Sequence, residues 1–261
     1  MLSKLERAFL AAEALDVLCC PHCGGRLERQ GNSLVCARGH RHDMNRKGYL
    51  DLLSRPVEGC YDAALFEARS LVLERGCYER VAEAIASMLP EGCATLLDAG
   101  CGEGWYLDRL LRLRSGCRGI GIDISKDAIR RAAMRDSDAL WCVADLRRIP
   151  VRDGGIDAAI DVLTPASYEE FRRVLSPEGM LIKVYPGSGY LREIREARGL
   201  PLYEEGRVDA YLKEHAQIVR QERVTAQINV DAALWRAFVW MTPLDQDLSA
   251  EEKEALSQSP A

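Results

Sequence analysis

Leu96-Leu97-Asp98-Ala99-Gly100-Cys101-Gly102-Glu103-Gly104 decides how this chain folds, read together with Gly119-Ile120-Gly121-Ile122-Asp123-Ile124-Ser125 further on. The first run is an apolar strand ending in Asp-x-Gly-x-Gly-x-Gly, and the second is another apolar strand closed by an acid. Glycine has no Cβ, so the backbone can turn tightly there and approach a ligand closely. An acid at the tip of the second strand stands where ribose hydroxyls can donate hydrogen bonds to it. The pair is therefore expected to form a Rossmann-like sheet that holds an adenosyl ligand. A lone glycine turn would say only that a strand runs into a helix; the acid at this spacing points to a nucleoside.

Around that centre the composition is that of a globular protein. The 261 residues suffice for one large domain, or for one of about 200 residues with a small module. A hydrophobic share of 48% with 29% charged residues excludes a disordered or fibrous chain. No apolar run approaches the ~20 residues of a membrane span. Lys4, Glu6, Arg7, Glu13 and Asp16 make the N-terminal stretch a short amphipathic helix rather than a signal peptide. The net charge of −5 argues mildly against a polyanionic partner. Residues 19–56 run the other way, with Arg26, Arg29, Arg38, Arg41, Arg46, Lys47 and Arg55 against Glu28, Asp43 and Asp51. A polyanion would land on that segment. Ten cysteines without a secretion signal point to a reducing, cytoplasmic compartment, where thiols bind metal or sit in cores.

Four of those cysteines crowd into the basic segment. Cys20-Pro21-His22-Cys23 forms one knuckle, and Cys36 with His40 forms a second. Two thiolates at i and i+3, met by a Cys/His pair, suit a tetrahedral structural Zn²⁺ with no position left open for substrate. Between the knuckles, Arg26-Leu27-Glu28-Arg29 and Ser33-Leu34-Val35 flank Gln30-Gly31-Asn32 as a hairpin. The preferred ligands are Cys20, Cys23, Cys36 and His40. Cys19 could replace Cys20, and His42 or His22 could replace His40.

The expected order is a helix over 1–18, a ribbon with its trailing strand over 19–53, and a linker from Ser54 to Tyr61. Domain bounds follow as 1–18 for the extension, 19–56 for the zinc ribbon and 57–261 for the ligand-binding domain. Helices are expected at Ala63–Arg75 and Tyr78–Met88. Strands at Thr95–Asp98, Gly119–Asp123, Leu140–Ala144, Ile156–Val162 and Met180–Tyr185 alternate with helices at Trp105–Arg114, Lys126–Arg135 and Tyr168–Val174. That alternation implies a parallel sheet. Ser176-Pro177-Glu178-Gly179 reads as a turn. A helix over Tyr190–Arg198, a hairpin strand over Gln217–Val230, a helix over Asp231–Trp240 and a frayed tail from Ser249 complete the expectation.

The first-strand Asp and the tight Gly-x-Gly-x-Gly resemble class I S-adenosylmethionine-dependent methyltransferases. With Cys20-Pro21-His22-Cys23, Cys36-x3-His40, Asp43-Met44-Asn45-Arg46-Lys47-Gly48-Tyr49-Leu50-Asp51-Leu52-Leu53, Pro186-Gly187 and Met241-Thr242-Pro243, nearly everything after Leu18 resembles the bacterial 23S ribosomal RNA guanine-N1 methyltransferases. The resemblance implies an α/β chain: a small zinc-ribbon RNA-recognition module on a Rossmann-like methyltransferase domain. It also implies S-adenosylmethionine as methyl donor, a guanine in a 23S rRNA hairpin loop as acceptor, and a homodimer. The chain departs from the family pattern at Asp161 and Thr164, near the expected place of the target base, and at Tyr190, where some members carry His.

On this reading Asp98, Gly100, Gly102 and Gly104 hold the methionine end, with Tyr106 and Leu107 opening the next helix. Asp123 takes ribose, Asp145 the adenine amino group, and Tyr78 lines the pocket. Asp161 is the candidate for removing the N1 proton of an unpaired or flipped guanine. Arg41, Arg46, Lys47 and Arg55 are phosphate contacts as a set; Tyr49 either stacks on a base or packs under the ribbon. The competing readings are a small-molecule methyltransferase and a non-catalytic RNA-binding protein on the same fold.

Overall fold

A computed structural model describes residues 2–53, 63–204, 206–242, 244 and 247–258. In chain order its elements begin with α1 (Lys4–Leu15), β1 (Leu27–Gln30), β2 (Ser33–Cys36), β3 (Arg41–Asp43), β4 (Tyr49–Asp51), α2 (Ala63–Glu74) and α3 (Glu79–Met88). Then come β5 (Thr95–Ala99), α4 (Trp105–Leu113), β6 (Arg118–Asp123), α5 (Lys126–Ala132), β7 (Leu140–Val143), β8 (Ile156–Val162), α6 (Tyr168–Val174) and β9 (Leu175–Val184). The last four helices are α7 (Arg192–Ala197), α8 (Arg207–His215), α9 (Ala232–Met241) and α10 (Ala250–Ser257). The chain divides into two compact units, one from Met1–Cys60 and Ile85–Val184, the other from Tyr61–Ala84 and Tyr185–Ala261. The expected linker at Ser54–Tyr61 falls outside the described residues.

The first unit holds two sheets. One is the antiparallel ribbon β1-β2-β3; the other is six-stranded and parallel, in the order β4-β7-β6-β5-β8-β9. Its central strands carry apolar residues on both faces, as a sheet covered by helices requires. The trailing strand expected with the ribbon belongs instead to this large sheet: Tyr49 pairs with Trp141 and Asp51 with Val143. The reason is burial, since Tyr49 is 3% exposed and Leu50 fully buried. A ribbon with one poor core could not cover both faces.

The helix expected within residues 1–18 forms as α1 and packs into the first unit's core. Ser3 caps α1 by accepting the Glu6 amide at 3.2 Å, and Ala8, Phe9, Ala12 and Leu15 join one core with Ile120, Ile122, Leu140 and Cys142. Phe9 is fully buried, with the Arg29 guanidinium 4.0 Å above its ring. Phe9→Ala should therefore cost about 3–5 kcal/mol, seen as a lower urea midpoint. A half-buried polar knot adds a pH-dependent term: Arg173 binds Glu170 at 2.7 Å and the exposed Asp153 at 2.9 Å, and Glu170 also accepts the Ile149 amide at 2.7 Å. Burial pushes the Glu170 carboxyl up, but these hydrogen bonds outweigh it and leave it below its ordinary value. Its stabilisation is thus present above the unfolded value and is lost as pH falls through the folded one. Stability measured from about pH 5 down to about pH 3 should fall less steeply in Glu170→Gln.

The Ser176–Gly179 stretch is carried inside β9, as an irregularity between the pairs Ile156–Leu175 and Ala158–Met180. In the second unit, Val72, Ile194, Leu234, Trp235, Phe238 and Val239 form the core. Gln217–Val230 is not a strand: Val219 is 72% exposed, and no described neighbour offers it a ladder. Arg207–His215 is a helix the sequence reading passed over. The tail expected to fray forms α10, because Ser249 and Glu252 satisfy each other's amides in a reciprocal cap and Leu256 O accepts the Trp235 indole N–H at 3.1 Å. Among the described residues no helix is long and apolar enough to cross a membrane.

Candidate functional site

The carboxyl ends of β5, β6 and β7 lie side by side, which is where open parallel sheets bind ligands. Asp98 sits in β5 and is 2% exposed. After it Gly100, Gly102 and Gly104 all take positive φ, at 75°, 56° and 76°. The turn is pinned to its neighbour, since the Gly100 and Cys101 amides donate to Ile122 O at 2.8 and 3.0 Å. Asp123 ends β6; one carboxylate oxygen accepts the Gly102 amide and the other the Ser125 amide, both at 2.8 Å. The two sequence features that suggested a nucleoside site therefore touch. A Cβ on Gly100 would stand 2.4 Å from Thr164 Cγ2, so that position, with its positive φ, calls for glycine. This glycine cradle beside a carboxylate fits the adenosyl group of S-adenosylmethionine.

The flanking expectations fare unequally. Asp145 follows β7 as expected, but it caps the turn Leu146–Arg148, accepting the Arg147 amide at 2.9 Å and pairing with its guanidinium at 2.7 Å. That hydrogen bond holds the Asp145 carboxyl below its usual range. Tyr106 is buried edge-on to Trp105, with ring centroids 5.0 Å apart. The Leu107 side chain belongs to the core: its Cδ1 lies 2.8 Å from where a Cβ on Gly119 would stand. Only its backbone is left for the helix start. Tyr78 lies in the second unit, its hydroxyl 2.9 Å from that of Tyr190.

Asp161 is fully buried in β8 and pairs with Lys183, its direct partner on β9, at 2.8 Å. Burial pushes its carboxyl up, and the ammonium draws it back. A sealed, ion-paired carboxylate does not suit the expected role of a base facing the acceptor. Lys183 itself was missed, although a cation inside Met180-Leu181-Ile182-Lys183-Val184 was a visible break in an apolar strand.

The metal ligands assemble as preferred. The ligand atoms of Cys20, Cys23, Cys36 and His40 lie within 4.8 Å of one another. His40 Nδ1 is 3.4 Å from the sulfurs of Cys20 and Cys36, and Cys23 Sγ is 3.6 Å from Cys36 Sγ. Sulfurs ~2.3 Å from a central ion stand roughly 3.7 Å apart at tetrahedral corners, so the set fits Zn²⁺. Glycine turns close both knuckles, with Gly24 N–H donating to Cys20 O and Gly39 N–H to Cys36 O, each at 2.8 Å. His42, 3.7 Å from Cys20 Sγ and stacked on His22, flanks the cluster; Cys19 lies outside it. Arg41, Arg46 and Lys47 are exposed, Tyr49 packs in the large sheet, and Arg55 lies outside the described residues.

Residues 18–58 match the zinc-ribbon family described as "RlmA, N-terminal", and residues 96–179 match the methyltransferase domain family. The 23S rRNA (guanine(748)-N(1))-methyltransferase of Streptomyces fradiae is 34% identical over 222 residues, covering 81% of this chain and 79% of that protein. The chain belongs to the 23S rRNA guanine-N1 methyltransferase family. YxjB of Bacillus subtilis (strain 168), to which the same activity is assigned provisionally, is 41% identical over 68% of this chain and 67% of its own length. Among solved structures, a chain in the complex of the Haloferax volcanii Trm112 methyltransferase activator aligns with a TM-score of 0.50. At 21% identity over 77% of this chain and 93% of that one, the likeness shows the fold alone. The family membership and the glycine cradle make this an S-adenosylmethionine-dependent methyltransferase with a zinc ribbon.

Proposed function

We propose that this chain transfers a methyl group to N1 of a guanine in a hairpin loop of 23S rRNA, acting as a cytoplasmic homodimer. The observation that carries the reading is a ribbon of the RlmA type folded into the same compact unit as the Gly102–Asp123 contact. S-adenosylmethionine supplies an electrophilic methyl on a sulfonium, and the chain's task is to align it with the acceptor nitrogen. Asp98 and the glycines at 100, 102 and 104 hold the methionine end, and the Asp123 carboxylate holds the ribose. Asp145 takes the adenine amino group when Arg147 gives way. Guanine N1 is engaged in pairing, so the loop must present the base unstacked. Arg41, Arg46 and Lys47 supply the phosphate contacts on the ribbon side.

Deproteinised 23S rRNA and tritiated S-adenosylmethionine test this reading. The wild type should label N1 of one guanine, and small-molecule acceptors should stay unlabelled. Asp123→Ala removes two charge-assisted hydrogen bonds to ribose, about 3 kcal/mol together, and should weaken cofactor binding roughly a hundredfold. Calorimetry with S-adenosylhomocysteine reads that loss directly. Labelling of a small molecule but not of rRNA would overturn the reading.

A further inference from the structure

The ion pair inside the large sheet is left unexplained by stability. Taking two charges out of water costs more than their attraction returns unless other bonds repay it, and apolar replacements often do as well. Asp161 is fully buried, and one of its oxygens has no hydrogen-bond partner among the described residues; Lys183 and the Thr164 amide favour its charged form against that burial. Lys183 has a second engagement. Its ammonium also donates to the carbonyl oxygen of Thr164, in the loop that follows β8.

That loop is strained and held from several sides. Leu163 takes φ 55°, a left-handed conformation that a branched residue keeps only when its surroundings impose it. The Leu163 amide donates to Val184 O at 3.0 Å and the Thr164 hydroxyl to Val162 O at 3.2 Å. The result presses Thr164 onto the glycine turn, its Cγ2 and Oγ1 lying 2.4 and 2.6 Å from where a Cβ on Gly100 would be. In the sheet order β8 flanks β5 on the side away from β6. With ribose on the β6 side at Asp123, the β8 side receives the methionine end.

We propose that the buried Asp161–Lys183 pair is a clamp that holds Thr164 against Gly100 and thereby shapes the methionine end of the cofactor site. Both members are positioning residues; neither touches the reacting atoms. The inference rests on the cofactor reading of the glycine turn, and its test compares two ligands that differ only beyond the thioether sulfur. S-adenosylhomocysteine carries the amino-acid arm and 5′-methylthioadenosine lacks it.

The first variant is the apolar double Asp161→Val/Lys183→Met, which leaves no unpaired buried charge. The second is Thr164→Gly, which keeps the ion pair and removes the side chain it positions. Calorimetry should show S-adenosylhomocysteine bound at least tenfold more weakly by both variants, with 5′-methylthioadenosine within twofold of wild type. The Thr164→Gly change lies in a half-buried loop, so it reports even where the double variant does not fold. Unchanged S-adenosylhomocysteine affinity in Thr164→Gly would overturn the clamp, as would equal weakening of both ligands, which marks a general loosening. Failure of the wild type to bind either ligand would instead bring down the cofactor reading, and the clamp with it.

Discussion

Stripping the metal from Cys20, Cys23, Cys36 and His40 should unfold residues 20–43 while leaving the parallel sheet intact. The ribbon's strands are four, four and three residues long, too short for a hairpin to persist alone. Its buried interior amounts to little more than Ser33, Leu34, Val35, Cys36, His42 and Cys20. Structural zinc contributes about 10–16 kcal/mol of apparent binding energy in modules of this size, and that energy is the folding energy. The ties to the rest of the unit are weaker than that: Leu34, with Leu27 beside it, reaches the core shared by α1 and the large sheet, a burial worth about 1.5–3 kcal/mol. Arg29 meets Glu6 at 2.8 Å and Arg26 meets Asp16 at 2.8 Å, but exposed pairs are worth about 1 kcal/mol at most. Chelation should release one zinc per chain and make the amides of 20–43 exchange quickly. Protection in β5, β6 and β8 should stay, S-adenosylhomocysteine should still bind, and rRNA binding should be lost. Retained protection in the ribbon after zinc release would refute this.

Gly104→Ala should be the most damaging single methyl group in the cofactor half. Gly104 adopts φ 76°, which costs an alanine roughly 1–2 kcal/mol. Its new Cβ would stand 2.4 Å from Trp141 Cη2 and 3.0 Å from Ala132 Cβ. The tryptophan cannot retreat. It is 2% exposed, and its Cε3 and Cζ3 already lie 2.5 Å from where a Cβ on Gly121 would be. The ring is boxed between two glycines on neighbouring segments. Overpacking adds about 1–3 kcal/mol to the strain, so a loss of about 3 kcal/mol or more is expected in urea unfolding. Gly121→Ala, without the strain, should cost about 1–3 kcal/mol. A Gly104→Ala protein within about 0.5 kcal/mol of wild type would contradict this packing.

The same glycines show how far the sequence could be read. Gly100, Gly102, Gly104 and Asp123 were legible because a positive φ and an acid at a strand tip leave marks in residue type. So were the zinc ligands, whose spacing is the chemistry. Gly119 and Gly121 look like part of the same ligand signature, yet they make room for Leu107 and Trp141, a tertiary fact no local pattern carries. The allegiance of Tyr49–Asp51 was likewise hidden: a three-residue strand is short enough to join either sheet, and only pairing with Trp141 decides it. The helix over residues 4–15 was visible from its pattern, but not the sheet face it covers. Asp161 was noticed as an acid near the acceptor, whereas its meaning depends on Lys183, twenty-two positions away and directly across from it. Gln217–Val230 reads as a hairpin strand, and among the described residues it pairs with no strand and forms none.

Primer extension on 23S rRNA, from cells with and without the gene, tests the proposed activity most directly, because a methyl on guanine N1 removes a pairing donor and halts reverse transcription. The activity predicts one stop that disappears on deletion, returns with the wild-type gene and does not return with Asp123→Ala. Identical stops in all three strains would contradict it and redirect the search to small-molecule acceptors.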